Sequence, residues 1–322
     1  VSTEIISQKG KRKKVKACPY CLKEGVKVEI KTRSKKFGSV PVEVSYICLN
    51  GCKPKRANRK HNGVDPRKKE FFDKYDLMKI KDIESKDIPH WYPRDRMMNV
   101  AEEQESWGYL WRKGIHKGIE CVDQFFTKRN LWALSAIKDA VNAAKIDEDI
   151  RSFLLFIFSG TILNTSLMYR FRKSLKGGIQ MGTYYVPPLS QIMNAQNSFK
   201  DKFRRCLRGF EKFNKIQTIK KVLISTQSAC NISSISDDSI DYIFTDPSYA
   251  DKVQFGELNF LWESWLGFDT SWLKDEIIIN PVRGITEEDW AAMMKKAMGE
   301  AYRVLKPGRW MSLCYHDTSE GT

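Results

Sequence analysis

The spacing of apolar residues changes near residue 216, and that change divides the chain. Upstream, Asp123–Asn142, Glu148–Arg172 and Ala195–Lys212 carry apolar residues three and four positions apart, which predicts amphipathic helices. In the last of these, Phe199, Phe203, Leu207 and Phe210 share one face, with Lys200, Lys202, Arg204 and Arg205 largely off it. That stripe is expected to enter the core rather than to stack on bases. Downstream, Val222–Ser225 and Ile240–Phe244 are short apolar runs that predict strands, the second a buried parallel one. Phe255–Leu266 predicts an apolar helix with Trp262 and Trp265. Thr286-Glu287-Glu288-Asp289 is a capping sequence for a helix running to about residue 305. Lys306-Pro307-Gly308 stops it, and Trp310–Tyr315 predicts a further strand. Helices alternating with parallel strands imply an α/β fold with ligands at the C-terminal ends of the strands.

Charge and cysteines add a second region. The first 70 residues hold 20 Lys and Arg against 6 Asp and Glu, a net charge of +14 out of +16 for the whole chain. A basic end on a near-neutral body points to a polyanion partner, with a solvated face as the alternative. Cys18-Pro19-Tyr20-Cys21 and Cys48-Leu49-Asn50-Gly51-Cys52 are paired at the spacing of tetrahedral Zn2+ ligands. Two strand-like segments lie between or beside the pairs, Val26–Lys31 and Val40–Ile47, which together predict a zinc ribbon with a structural metal. Redox or disulfide use of these thiols is the alternative. Four thiolates fill the metal's shell, so His61 and His90 are expected not to be ligands. Cys121, Cys206, Cys230 and Cys314 are scattered and expected to behave as small apolar residues. The resulting organisation is a mobile basic lead-in over 1–17, the ribbon over 18–60, a helical region over 61–215 and an α/β part over 216–322. The helical region opens with an irregular connector containing a short helix near 67–82. The longest apolar run, Phe153–Phe158, is too short to span a bilayer, and no secretory signal precedes the basic end, so a cytoplasmic location is expected.

The chemistry concentrates at Asp246-Pro247-Ser248-Tyr249, directly after the strand Ile240–Phe244. The exocyclic amine of a nucleobase is a poor nucleophile because its lone pair is delocalised into the ring. Two acceptors aimed at its N–H bonds would draw it towards tetrahedral geometry. The Asp246 carboxylate can be one and the Pro247 carbonyl, held by the fixed φ of proline, the other. Tyr249 can stack on a base taken out of its helix. An ordinary turn after a strand is the alternative for these four residues.

The segment 222–268 resembles the S-adenosylmethionine-dependent DNA amino-methyltransferases, which act on N6 of adenine or N4 of cytosine and carry an Asp-Pro-Pro-Tyr-type motif. Ser248 stands where the second proline would be. The resemblance implies a partial class I (Rossmann-like) methyltransferase sheet with an inserted zinc ribbon and helical region, acting on double-stranded DNA. Asp246, Pro247, Ser248 and Tyr249 are the implied catalytic loop, and Ser228 and Ala229 the implied border of the cofactor adenine. Asp123–Leu131 and Gly182–Pro188 resemble segments of one branch of these enzymes, with Arg129 and Tyr185 as candidate phosphate or base contacts against local packing. The glycine-rich cofactor turn is not found: Gly177-Gly178-Ile179-Gln180-Met181-Gly182 follows no apolar strand. The chain is therefore expected to be an internal fragment carrying the target-base half. A non-catalytic zinc-ribbon remnant, or a methyltransferase acting on RNA or protein, are the rival functions.

Overall fold

The computed structural model describes residues 2–6, 12–16, 43–47, 56–60, 72–97, 119–171, 177–187, 189–213 and 222–315. The chain divides into two units, Val1–Val42 and Glu43–Thr322. In the first, β1 (Ser2–Ile6) and β2 (Arg12–Lys16) pair antiparallel, with Ser2 opposite Lys16 and Ile6 opposite Arg12. A hairpin thus occupies the stretch expected to be a mobile lead-in. In the second unit, β3 (Glu43–Ile47) and β4 (Arg56–Lys60) also pair antiparallel, with Ile47 opposite Arg56. Val26–Lys31 and the four paired cysteines, Cys18, Cys21, Cys48 and Cys52, lie outside the described residues.

The rest of the second unit is mixed α/β. A wide turn, Phe72–Leu77, leads into α1 (Met78–Ser85), a few residues later than the predicted helix. The expected helix over 123–142 is split. Val122–Phe125 is a tight turn and α2 (Lys128–Ala143) starts afresh, because Thr127 accepts a hydrogen bond from the Asn130 N–H and caps it. Asp147 caps α3 (Glu148–Ile162), and Arg151 on its first turn donates to the carbonyls of Val141, Asn142 and Ala144 at 2.6–3.0 Å. One guanidinium therefore satisfies the carbonyls that α2 leaves unpaired at its end. Buried Asn130 donates to the carbonyls of Thr165 and Met193, both at 2.8 Å, and ties α2 to the start of α4 (Ala195–Phe213). On α4 the expectation of a buried stripe holds for Phe199 alone. Phe203, Leu207 and Phe210 stay 36–54% exposed, although the Phe210 ring lies 6.3 Å from that of Phe153. The remaining described helices pack over only the first part of that stripe.

The α/β part contributes β5 (Ile240–Thr245), α5 (Phe255–Leu266), α6 (Glu287–Val304) and β6 (Leu305–Leu313). β5 and β6 are parallel, as expected. They are not buried: Tyr242 is 55%, Phe244 67% and Trp310 78% exposed. A two-stranded sheet with no described helix across that face leaves it open. Val222–Ser225, predicted as a strand, forms no strand, and its Val222, Leu223 and Ile224 side chains are 75–90% exposed. A strand exists only through a partner's hydrogen bonds, and no described strand lies beside this one. Lys306-Pro307-Gly308 also differs from expectation. α6 ends at Val304, and the three residues form a bulge within β6, with Gly308 at φ +74°. The bulge presents Lys306 and Arg309 to Asp241 at 3.0 and 3.3 Å, and the Lys306 hydrogen bond lowers that carboxyl's pKa.

One aromatic core joins the helical region to the α/β part. Trp265 of α5 is fully buried, edge-on to Phe126 at 5.6 Å and to Phe158 of α3 at 5.7 Å. Its neighbour Trp262 donates from Nε1 to the Ser159 carbonyl at 3.0 Å. Helices predicted as a separate region therefore share their interior with the α/β part. Among the described residues no helix is long and apolar enough to cross a membrane. Trp265→Ala is expected to destabilise the protein by about 3–5 kcal/mol in equilibrium denaturation, because the cavity would open at the junction of three elements.

Candidate functional site

The four-residue motif Asp246–Tyr249 directly follows the C-terminal end of β5. The Cys314 N–H donates to the Thr245 carbonyl at 2.9 Å, so the end of β6 is fastened beside the motif. Asp246 is exposed, while Pro247, Ser248 and Tyr249 are half-buried. The Tyr249 hydroxyl donates to Asp246 Oδ1, which brings carboxylate and ring together. That hydrogen bond, followed by partial desolvation, raises the Tyr249 pKa above its ordinary value. Ala250 then turns the chain with φ +48°, a left-handed conformation that costs a residue with a Cβ roughly 1–2 kcal/mol.

The turn persists because buried polar groups hold the segment beyond it. The Ile279 N–H donates to the Ala250 carbonyl at 3.2 Å, and the Gln254 amide donates to the carbonyls of Asp251 (3.1 Å) and Ile279 (3.0 Å). Asn280 donates to Gln254 Oε1 at 2.8 Å and to Glu257 Oε1 at 2.7 Å, and all three residues are fully buried. Glu276 accepts from the Gly256 N–H at 2.8 Å and pairs with Arg283 at 2.6 Å, both side chains about nine-tenths buried. A buried carboxylate thereby supplies the negative charge favoured at the N-terminus of α5. Gly256 is required there, since a Cβ would lie 2.6 Å from Glu276 Oε2 and 2.2 Å from Leu273 Cδ2.

An aromatic group borders the motif. Tyr315, just past β6, packs at right angles to Tyr249 with centroids 5.6 Å apart. Trp290 lies 6.5 Å from Tyr315 in a near-parallel arrangement. It occupies the first turn of α6, which the Thr286–Asp289 capping box fixes. Ser228 and Ala229, the residues implied for the cofactor, are exposed in a turn closed by the Asn231 N–H on the Ser228 carbonyl at 3.1 Å. The turn rests on α6, because the Cys230 thiol donates to the Met293 carbonyl at 3.3 Å. The 228–230 turn and Tyr315 thus meet the same helix within one turn of each other.

No protein-family model, no curated protein and no solved structure matches this chain.

Other predicted contacts are placed differently. Arg129 is half-buried, and desolvation lowers its pKa. Tyr185 is 40% exposed, whereas its neighbour Tyr184 is buried and donates to the Glu257 carbonyl in the first turn of α5. His90 faces Asp139 at 3.0 Å, and among the described residues no group of three or more His, Cys, Asp and Glu is arranged to hold a metal. Sequence reasoning missed Tyr315, Trp290, Gln254, Glu276 and Asn280. Only Glu257, an acidic residue inside the apolar run Phe255–Leu266, signalled a buried polar centre.

The Tyr249 hydroxyl is expected to titrate above the usual tyrosine value of about 10. Subtracting the alkaline ultraviolet titration of Tyr249→Phe from that of the parent isolates it. Asp246→Ala is expected to return that component to the ordinary range. The raised folded-state pKa means that any stability this bond contributes is complete below pH ~10 and is lost as pH rises through the raised value.

Proposed function

We propose that this protein is an S-adenosylmethionine-dependent DNA amino-methyltransferase acting on N6 of adenine or N4 of cytosine, and that its catalytic half has the Rossmann-like class I fold. The observation that carries the reading is the pairing of the Asp246 carboxylate with the Tyr249 ring at the C-terminal end of a parallel strand. In this reading a base is flipped out of duplex DNA onto Tyr249. Asp246 and the Pro247 carbonyl accept the two amine N–H bonds and expose the lone pair. The amine lone pair would then attack the methyl carbon as that carbon's bond to sulfur breaks, with S-adenosylhomocysteine as the leaving group, and the surplus amine proton would leave through Asp246 or solvent. S-adenosylmethionine supplies an electrophilic methyl group when bound, and Ser228 and Ala229 would border its adenine. The resting hydrogen bond from Tyr249 to Asp246 is compatible with this, since an arriving amine N–H would replace one donor by another.

The basic N-terminal 70 residues support a DNA partner through phosphate contacts. Cys18, Cys21, Cys48 and Cys52 are proposed, from their spacing in the sequence, as ligands of one structural Zn2+.

The test is transfer of a radiolabelled methyl group from S-adenosylmethionine to duplex DNA by the purified protein, with the methylated nucleoside identified after digestion. Asp246→Ala is expected to lower turnover by about 100-fold or more, the scale of losing a preorganised charge-stabilising group. Wild-type turnover in that variant would remove the reading. Because no covalent enzyme intermediate is involved, Cys314→Ser is expected to leave turnover within about two-fold. Elemental analysis is expected to find about one zinc per chain, and replacing Cys18 and Cys21 by Ser is expected to abolish it.

A further inference from the structure

We infer that Tyr315 is a positioning residue for Tyr249, braced in turn by Trp290. Only the catalytic consequence rests on the proposed base-binding role of Tyr249; the geometric relation of the two rings does not.

Two contacts bear on the placing of the Tyr249 ring. At its tip, the hydroxyl donates to Asp246 Oδ1. Along its ring stands Tyr315, perpendicular at 78° with centroids 5.6 Å apart. This is the favoured edge-to-face arrangement of two aromatic quadrupoles. A hydroxyl hydrogen bond alone leaves rotation about the ring's long axis free, and an edge-to-face contact removes that freedom. Tyr315 can act as a stop because its own backbone is fixed: the preceding residue, Cys314, is hydrogen-bonded to Thr245, the residue before Asp246. Trp290 lies on the Tyr315 ring at an interplanar angle of 29° and belongs to a capped helix turn. The series Trp290, Tyr315, Tyr249, Asp246 therefore runs from a rigid helix end to the reactive carboxylate.

Tyr315 is 45% exposed and stands outside the hydrophobic core. Here it spends its contacts on two other aromatic residues beside the motif.

The test compares Tyr315→Phe with Tyr315→Ala. Both lack the Tyr315 hydroxyl, so any difference between them belongs to the ring. In alkaline ultraviolet titration, corrected by the matching Tyr249→Phe double variants, the Tyr249 component is expected to stay raised in Tyr315→Phe. It is expected to fall towards the ordinary tyrosine value in Tyr315→Ala, as the hydroxyl loosens from Asp246. Asp246, Cys314 and Tyr315 are titratable groups that face Tyr249; both variants leave the first two in place and both remove the Tyr315 hydroxyl. In the methyl-transfer assay, Tyr315→Ala is expected to lower kcat roughly 10- to 100-fold with KM changed less, the scale of a misaligned reactive group, and Tyr315→Phe to restore it. Identical Tyr249 titrations in the two variants would overturn the inference, whatever the activity shows. If Asp246→Ala keeps full activity while the titrations differ, the methyltransferase reading falls and the positioning of Tyr249 stands. Circular dichroism melting of both variants checks that each is folded.

Discussion

The buried carboxylate of Glu276 is the constraint on which the α/β half depends. It accepts the Gly256 N–H at the start of α5 and pairs with Arg283 in a place that water scarcely reaches. Two charges taken out of water are costly to separate: removal of one partner leaves the other unpaired, at about 3–5 kcal/mol. The pair therefore fixes where α5 begins. That start sets the reach of the Gln254–Asn280–Glu257 cluster, and the cluster holds the backbone just past Tyr249. The order of dependence runs from an ion pair with no chemical duty to the exposed carboxylate of the motif.

The far end of α5 answers to a different force. Trp262 and Trp265 carry it into the aromatic core formed with Phe126 and Phe158. Polar geometry sets the start of this helix and apolar packing its far end. Tyr184 adds a third link, since its buried hydroxyl reaches the Glu257 carbonyl from a loop far away in sequence. Burial, followed by the nearby Glu257 charge, pushes the Tyr184 pKa well above the ordinary range, so the hydroxyl remains a donor at every physiological pH. The helical region thereby participates in shaping the motif's surroundings.

How much of the fold was legible in the sequence depended on the range of the forces involved. α5 and α6 match their predicted spans closely because apolar periodicity, a capping box and a glycine after Leu266 are all local signals. β5 was legible as a strand, and its parallel pairing followed from the alternation with helices. Val222–Ser225 failed because pairing is not a local property: the same four residues are a strand only beside another strand. The half-exposed stripe on α4 failed for the same reason, since periodicity shows that a face is apolar but not what covers it. Within the site, Asp246, Pro247, Ser248 and Tyr249 were visible as a motif. Gln254, Glu276 and Asn280 were not, because a polar residue in a connector has the same appearance in sequence whether it is solvated or sealed inside. Tyr315 and Trp290 became recognisable only when folding placed them together.

The open face of the β5–β6 pair has a colloidal consequence. Tyr242, Phe244 and Trp310 expose an apolar patch on strands whose outer edges are unpaired among the described residues, a surface that attracts other chains. A net charge of +16 opposes that attraction by keeping copies apart. The two forces have different ranges. Repulsion acts over a screening length of roughly 10 Å at 0.1 M salt and only about 3 Å at 1 M, whereas contact between apolar patches needs no reach and is not screened. Ionic strength therefore governs how long the protein stays dispersed, and low salt favours the isolated molecule.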